Sequence, residues 1–313
     1  MIKIAVIGTG IIGINHLEAI KASEKCTLAA VCDTKEDVAK EIGERYNAPY
    51  FLDYKDILDN VEVDAVILNL PHFLHAPVSI YFLERGVHVL VEKPMANTKE
   101  ECETMLLAAE MSGKKLAVGH IQRFFDANIK VKEIINSGEL GKFTMYSEVR
   151  TIDYFLPSRP AWFLKKDLSG GGIVMNYGAH ALDKLFYLLD TDRCEIMSSI
   201  GNEKNDIDIE GHAQMMLKFQ DGISASVTFS GYFPVGYESI YYFTKGALKV
   251  IYSTDLYINK GNDWEKVEVN EDFQSAFNTQ LDEFIKYIEG EKSQIADGEY
   301  GKAIIDVIDK VYN

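Results

Sequence analysis

A glycine-rich hexapeptide, Gly8-Thr9-Gly10-Ile11-Ile12-Gly13, follows directly on the apolar run Ile2–Ile7 and leads into a segment with helical spacing. This junction restricts the folds open to the chain more than any other feature. In a strand–turn–helix unit the first glycine permits the tight turn, the second lets a pyrophosphate approach the backbone, and the third lets the helix pack closely on the sheet. The helix N-terminus, at Ile11 and Ile12, then offers N–H groups and a partial positive charge to the phosphates. The next apolar run, residues 27–32, ends at Asp33, twenty positions beyond Gly13 (33 minus 13). A carboxylate there accepts hydrogen bonds from the adenosine ribose hydroxyls and repels a 2′-phosphate, so NAD is expected in preference to NADP.

The rest of the N-terminal part agrees with that reading. Short apolar runs at 27–32, around Tyr50, at 64–69, at 87–91 and at Leu116–Gly119 alternate with helix-length amphipathic stretches. That rhythm predicts a parallel sheet with crossover helices, an α/β Rossmann domain over residues 1–120. Thr98 followed by Glu101 predicts a capping box at the head of a helix running to Ser112. Beyond His120 the rhythm changes to a helix at 124–136 and then longer alternating segments within 142–152, 212–219, 223–232, 238–244 and 247–253, read as antiparallel strands. Asp221 and Gly222 between two of these predict a hairpin, because both residues tolerate positive φ at the central turn positions. Residues 121–313 are thus expected to form an α+β domain with a large, mainly antiparallel open sheet, its last helices, at 275–288 and 298–311, packing back on either domain.

Composition removes several function classes. Asp and Glu outnumber Lys and Arg 48 to 32, and a net charge of -16 argues against a nonspecific hold on nucleic acid or an anionic membrane. Cys26, Cys32, Cys102 and Cys194 form no CxxC pair, which predicts reduced thiols in a cytoplasmic protein and no zinc site. The N-terminal apolar stretch reads as a buried strand rather than a signal peptide, and no apolar run is long enough for a transmembrane helix. His72 and His75 have the spacing of a metal pair but no third ligand at suitable spacing, so no metal is expected.

Three further motifs carry chemistry: Leu70-Pro71-His72-Phe73-Leu74-His75, Glu92-Lys93-Pro94 at the end of a strand, and the segment from Gly170 to Asp183, GGGIVMNYGAHALD. Carboxyl ends of parallel strands are where open α/β sheets bind ligands, which places Lys93 where an ammonium stabilises a developing alkoxide. On a helix over 173–189, Asn176, His180 and Asp183 fall at i, i+4 and i+7, hence on one face. His180, with an intrinsic pKa near neutrality, is the best general base.

Together with the opening loop, these residues resemble the Gfo/Idh/MocA oxidoreductase family, which takes in glucose-fructose oxidoreductase and inositol dehydrogenase. The resemblance implies hydride transfer between nicotinamide and a secondary alcohol of a sugar, inositol or related polyol held between the second domain's sheet and the nicotinamide, with Lys93, His180 and Asn176 catalytic. It implies cofactor contacts by Leu70, Pro71, His72, His75, Glu92 and Gln122, and a substrate cleft lined by Arg123, Arg159, Trp162 and Lys165. It also implies subunits paired through their sheets, as a homodimer or homotetramer, and a bond of unusual geometry before Pro94. The family position matching Asn176 is usually aspartate, and an amide does not raise a histidine pKa as a carboxylate does. That departure leaves open a retuned base, a different substrate, or an NAD(H)-binding sensor that kept the fold with weakened catalysis.

Overall fold

The computed structural model describes residues 1–204, 206–232, 235–270 and 272–312. They divide into two compact units, the first made of residues 1–121 with 273–302, the second of 122–272 with the chain from Ala303 onward.

The first unit is built on β1 (Ile2–Ile7), β2 (Cys26–Cys32), β3 (Tyr50–Phe51), β4 (Ala65–Leu68), β5 (His88–Glu92) and β6 (Leu116–Gly119), all parallel, in the order β3-β2-β1-β4-β5-β6. The chain reverses its winding direction between β1 and β4, the point where such sheets bind ligands. Ile4–Ile7 and all of β4 are buried, as strands covered on both faces require. Helices α1 (Ile11–Ala22), α2 (Glu36–Tyr46), α3 (Ile57–Asn60), α4 (His75–Glu84) and α5 (Lys99–Ser112) supply the crossovers. At the head of α5, Thr98 Oγ1 accepts from Glu101 N (3.2 Å), but the Glu101 carboxylate reaches Asn97 N (2.9 Å) rather than Thr98, so the capping box closes one residue early.

Residues 273–302 leave the expected 121–313 domain. The strand Ala296–Asp297 pairs antiparallel with β6 and completes the sheet, and the helix Phe273–Glu289 packs on α1, where the Phe277 ring meets His16 edge-on at 5.0 Å.

The second unit carries α6 (Asp126–Ser137), α7 (Lys166–Ser169) and α8 (Ala179–Leu189) with eight strands: β7 (Phe143–Thr151), β8 (Glu195–Gly201), β9 (His212–Lys218), β10 (Ser224–Ser230), β11 (Gly236–Phe243), β12 (Gly246–Ile251), β13 (Asp255–Asn259) and β14 (Glu265–Val267). Their order is β14-β13-β12-β11-β7-β10-β9-β8. Every neighbouring pair is antiparallel except β7 with β10, which run parallel. Parallel neighbours need a long crossover, and the chain between them provides one through α7, α8, β8 and β9. The β9–β10 hairpin forms where Asp221 and Gly222 predict it, but only Gly222 has positive φ (78°). Gly222 N donates to Phe219 O and Phe219 N to Ile223 O, which makes a three-residue turn closed by a left-handed glycine.

On the face of this sheet toward α8, register sets Tyr146 opposite Tyr241, Glu148 opposite Ser239 and Arg150 opposite Tyr237. Lys184 of α8 reaches into this stripe, 1% exposed, with Nζ 2.7 Å from Glu148 Oε2, 2.8 Å from Tyr237 OH and 2.9 Å from Ser239 Oγ. Tyr146 OH donates a short bond to the same carboxylate. Burial works against the ammonium, yet the Glu148 charge and hydrogen bond outweigh it and raise the Lys184 pKa above its ordinary value. The opposite face exposes Met145, Val149, Met197 and Met216. Among the described residues no helix is long and apolar enough to cross a membrane, and all four cysteines are free thiols.

Removing one partner of a buried pair strands the other charge. Lys184→Met is expected to cost about 3–5 kcal/mol in urea denaturation, and Lys184→Met with Glu148→Leu to recover most of it. A double variant no more stable than the single one would show that the pair is not what holds α8.

Candidate functional site

The candidate residues form two sets, one in each unit. In the first unit, strand pairing decides which residues share the carboxyl edge. Gly8 N donates to Cys32 O (2.8 Å) and Asn69 N to Ile7 O (2.8 Å), which sets Asp33, Gly8 and Asn69 side by side at the ends of β2, β1 and β4. Gly8 has φ of 85°, and a Cβ there would lie 2.3 Å from Asn69 O; a Cβ on Gly13 would lie 2.2 Å from Gly8 O. Both glycines are thus demanded by the protein's own backbone. Gly10 differs, because a Cβ there would meet nothing within 4 Å. No side chain caps α1 at Gly10, and the first helical residue, Ile11, is 86% exposed. Open space above an uncapped helix N-terminus fits the pyrophosphate of a dinucleotide, which the fold alone requires nothing to fill.

Asp33 is fixed at the rim of this loop: Oδ2 accepts from Thr9 N (3.1 Å) and Thr9 Oγ1 (3.0 Å), and Oδ1 from Lys35 N (3.1 Å). Asn69 lies on the other side, its amide oxygen and nitrogen both buried without a hydrogen-bond partner. Motif reading begins the cofactor-lining segment at Leu70 and misses Asn69; the signal was a polar residue closing a fully apolar strand. Leu70 and Pro71 are half-buried, and His72 is buried in the turn after them.

His75 is 1% exposed, with Nδ1 2.7 Å from Pro94 O and Nε2 2.8 Å from Leu70 O. Burial lowers its pKa against the pull of the two carbonyls. Each ring nitrogen faces a backbone carbonyl, and the neutral ring donates its one N–H to one of them, which ties the 70–75 turn to the segment after β5. There the Lys93–Pro94 bond is cis and Lys93 is half-buried. Glu92 lies behind it, accepting from Lys93 N (3.3 Å) and touching His16 Nε2 (3.1 Å), while a Cβ on Gly119 of β6 would meet its carboxylate at 2.6 Å. His16 escaped the motif reading, although a histidine on the buried face of the helix opened by the glycine loop is a recognisable signal.

In the second unit the glycine-rich segment is shaped by Glu210. Its carboxylate accepts from Gly172 N (2.9 Å), Val174 N (2.8 Å) and Tyr312 OH (2.8 Å). A Cβ on Gly172 would lie 2.2 Å from Glu210 O, and one on Gly171 would lie 2.1 Å from Tyr312 OH. Burial raises the Glu210 pKa despite these hydrogen bonds.

The chain then enters a single π turn, Val174–Gly178, before α8. The uninterrupted helix expected over 173–189 is therefore corrected: the wider turn breaks the i, i+4 relation between Asn176 and His180, and only His180 and Asp183 keep α-helical spacing. Such turns recur at functional sites. Asn176 is 7% exposed and His180 half-buried. Tyr154 is fully buried, and burial raises its pKa against the nearby Arg159 charge.

The remaining candidates separate. Arg123 is buried against Asp183, Nη2 to Oδ1 2.5 Å and Nε to Oδ1 3.1 Å, an internal ion pair that accounts for it without a ligand. Gln122 is 5% exposed, its Oε1 3.5 Å from Asn128 Nδ2 and 3.5 Å from Ser253 Oγ. Trp162 stacks on Phe163 with ring centres 3.7 Å apart, Lys165 is exposed, and the Arg159 guanidinium lies 4.1 Å from the centre of the Tyr154 ring. Among the described residues no group of three or more His, Cys, Asp or Glu is placed to hold a metal ion.

Residues 2–120 match the model described as "Oxidoreductase family, NAD-binding Rossmann fold", and residues 128–249 match the "GFO/IDH/MocA C-terminal domain". A curated relative, the 1-carboxy-3-chloro-3,4-dihydroxycyclohexa-1,5-diene dehydrogenase of Comamonas testosteroni, is 32% identical over 74% of this chain and 58% of its own length. The D-glucoside 3-dehydrogenase of Escherichia coli is 32% identical over 60% of this chain and 54% of its own. The chain thus spans just over half the length of these relatives. Among solved structures, the aldose-aldose oxidoreductase of Caulobacter crescentus complexed with glycerol is 25% identical, with a TM-score of 0.90 over 99% of this chain and 96% of that one. The two domain models between them cover most of the sequence, and the chain belongs to the Gfo/Idh/MocA oxidoreductase family.

Proposed function

We propose that this protein is an NAD-dependent oxidoreductase that moves a hydride between nicotinamide and a secondary alcohol of a sugar, inositol or related polyol, in a cytoplasmic setting. The observation that carries the reading is the carboxyl edge of the first unit, where Gly10 leaves open space that no packing demands and Asp33 is held at the rim by Thr9. The dehydrogenase names of both relatives support the reaction class.

When bound, the cofactor supplies the hydride acceptor. Gly8, Gly10 and Gly13 with the N-terminus of α1 hold its phosphates, with Ile11 and Ile12 alongside, and the Asn69 amide offers a donor and an acceptor to the same group. Asp33 recognises the adenosine ribose and disfavours a 2′-phosphate. Leu70, Pro71, His72, His75, Glu92 and Gln122 complete the proposed cofactor contacts, His75 acting by fixing the backbone at Leu70 and Pro94. His180 takes the hydroxyl proton as the carbon gives up hydride, and the Lys93 ammonium stabilises the alkoxide character that develops. Asn176 orients substrate or imidazole by hydrogen bonding without adding charge. Trp162, Lys165 and Arg159 are proposed to contact substrate; Arg123 supports α8 through Asp183. The outward face of the second sheet, with Met145, Val149, Met197 and Met216, is proposed to pair subunits.

His180→Ala or Lys93→Ala should lower turnover at least ~100-fold with NADH affinity, read by fluorescence titration, within about threefold of wild type. Wild-type rates in either variant would remove that residue from the mechanism. Asp33→Ala should narrow the preference for NADH over NADPH by roughly tenfold or more through loss of charge repulsion; an unaltered ratio would assign cofactor choice elsewhere. In Asn176→Asp a new carboxylate favours the imidazolium, so the His180 pKa rises and the acid limb of the pH–rate profile moves to higher pH; a fixed limb would show that this position does not tune the base. Met197→Glu with Met216→Glu should reduce the assembly to monomers in light scattering, and a retained oligomer would place the interface on another surface.

A further inference from the structure

On the inner face of the second sheet, charge is balanced up to one residue and then left open. Glu148 takes Lys184 and Tyr146, and Lys184 donates onward to Tyr237 and Ser239, so that network closes on itself. Arg150, two residues further along the same face of β7, stands outside it. Its guanidinium lies 4.1 Å from the Tyr177 ring centre and 4.6 Å from that of Tyr237, and Nη1 is buried with no hydrogen-bond partner. Arg159 repeats the arrangement: the guanidinium lies 4.1 Å from the Tyr154 ring centre and 5.0 Å from that of Phe163, and its Nε is buried without a partner. Among the described residues neither guanidinium has a carboxylate oxygen within 4.0 Å.

These two arginines flank one aromatic pair, since the Tyr154 and Tyr177 rings are 6.2 Å apart. Tyr177 follows Asn176 in the π turn, and its ring lies 6.3 Å from that of His180. Aromatic faces attract a cation but leave its in-plane N–H groups unsatisfied, because guanidinium donors point along the edge. Buried donors without acceptors are rare in native proteins, and two around the Tyr154–Tyr177 pair, whose second ring neighbours that of the proposed base, call for an anion presented edge-on. A planar carboxylate matches the guanidinium fork in geometry and charge. In a chain of net charge -16, an anionic substrate also requires local cations of this kind.

We propose that the substrate carries a carboxylate, held by Arg150 and Arg159, so that the polyol oxidised is a sugar acid or a related hydroxylated ring acid. This rests on the oxidoreductase reading for its chemistry but not for its binding. The test is calorimetric titration of the NADH-loaded protein with hexuronates, aldonates and hydroxylated ring acids, each beside its amide and its alcohol, and with glucose 6-phosphate. At least one acid should bind ten- to a hundredfold more tightly than its neutral counterparts. Arg150→Gln and Arg159→Gln should each remove most of that preference, measured as the ratio of acid to amide affinity within the same variant, and Arg→Lys should restore only part of it. The wild-type comparison holds even if a variant fails to fold. No acid bound better than its amide, a preference for the phosphate ester, or a preference kept in both Gln variants would overturn the proposal. An acid bound through these arginines but never oxidised would instead overturn the oxidoreductase reading; a neutral polyol oxidised at rates indifferent to both arginines would overturn the carboxylate and leave that reading intact.

Discussion

The backbones of β1 and β4 approach so closely at their carboxyl ends that a single added carbon on Gly8 would sit 2.3 Å from Asn69 O. The shape of the first unit's binding edge depends on this contact. It forces φ of 85° at Gly8, which turns the chain sharply enough for α1 to start at Ile11, and Gly13 then rests against the Gly8 carbonyl. Thr9, caught between the two, has its N–H and hydroxyl directed at Asp33, so the loop is tied to β2 as well as to β4. The group proposed to recognise the ribose is thereby ordered in the absence of ligand, so little conformational entropy would remain to be lost on binding.

The second unit applies a different constraint. Its polar groups lie under a sheet in surroundings where an uncompensated charge is costly, and most are answered by opposite charge or by backbone donors. Lys184 with Glu148 and Arg123 with Asp183 are neutral pairs, and Glu210 is held by two backbone N–H groups and Tyr312. Against that pattern Arg150 and Arg159 stand out, because aromatic rings shield their faces while leaving edge donors without acceptors.

Much of this was legible in the sequence because the physics was local. Period-two and helical patterns, the glycine loop and the position of Asp33 each depend on residues close in the chain, and the alternating parallel sheet came from them. What escaped depended on distant partners. The pairing of β6 with Ala296–Asp297, which brings residues 273–302 into the first unit, joins segments about 180 residues apart. The parallel neighbours β7 and β10 are likewise separated by a crossover that no local pattern announces. Arg123 reads as a substrate arginine only while Asp183, sixty positions away in the chain and beside it in space, is left out of view. Asn69 and Arg150 were missed for the same reason, since an ordinary polar residue becomes informative only when its neighbours fail to satisfy it.

The π turn at Val174–Gly178 bears on how this position is compared among relatives. An α-helix advances by about 100° per residue, so one extra residue in a turn swings everything before it around the axis relative to everything after it. Two chains that align letter for letter here, one with the widened turn and one without, would direct the side chain at 176 toward different neighbours. An aspartate at this place in another chain and the asparagine of this one are therefore equivalent in space only where the turn is shared. A difference in local winding, invisible to an alignment, would change the meaning of an identical letter.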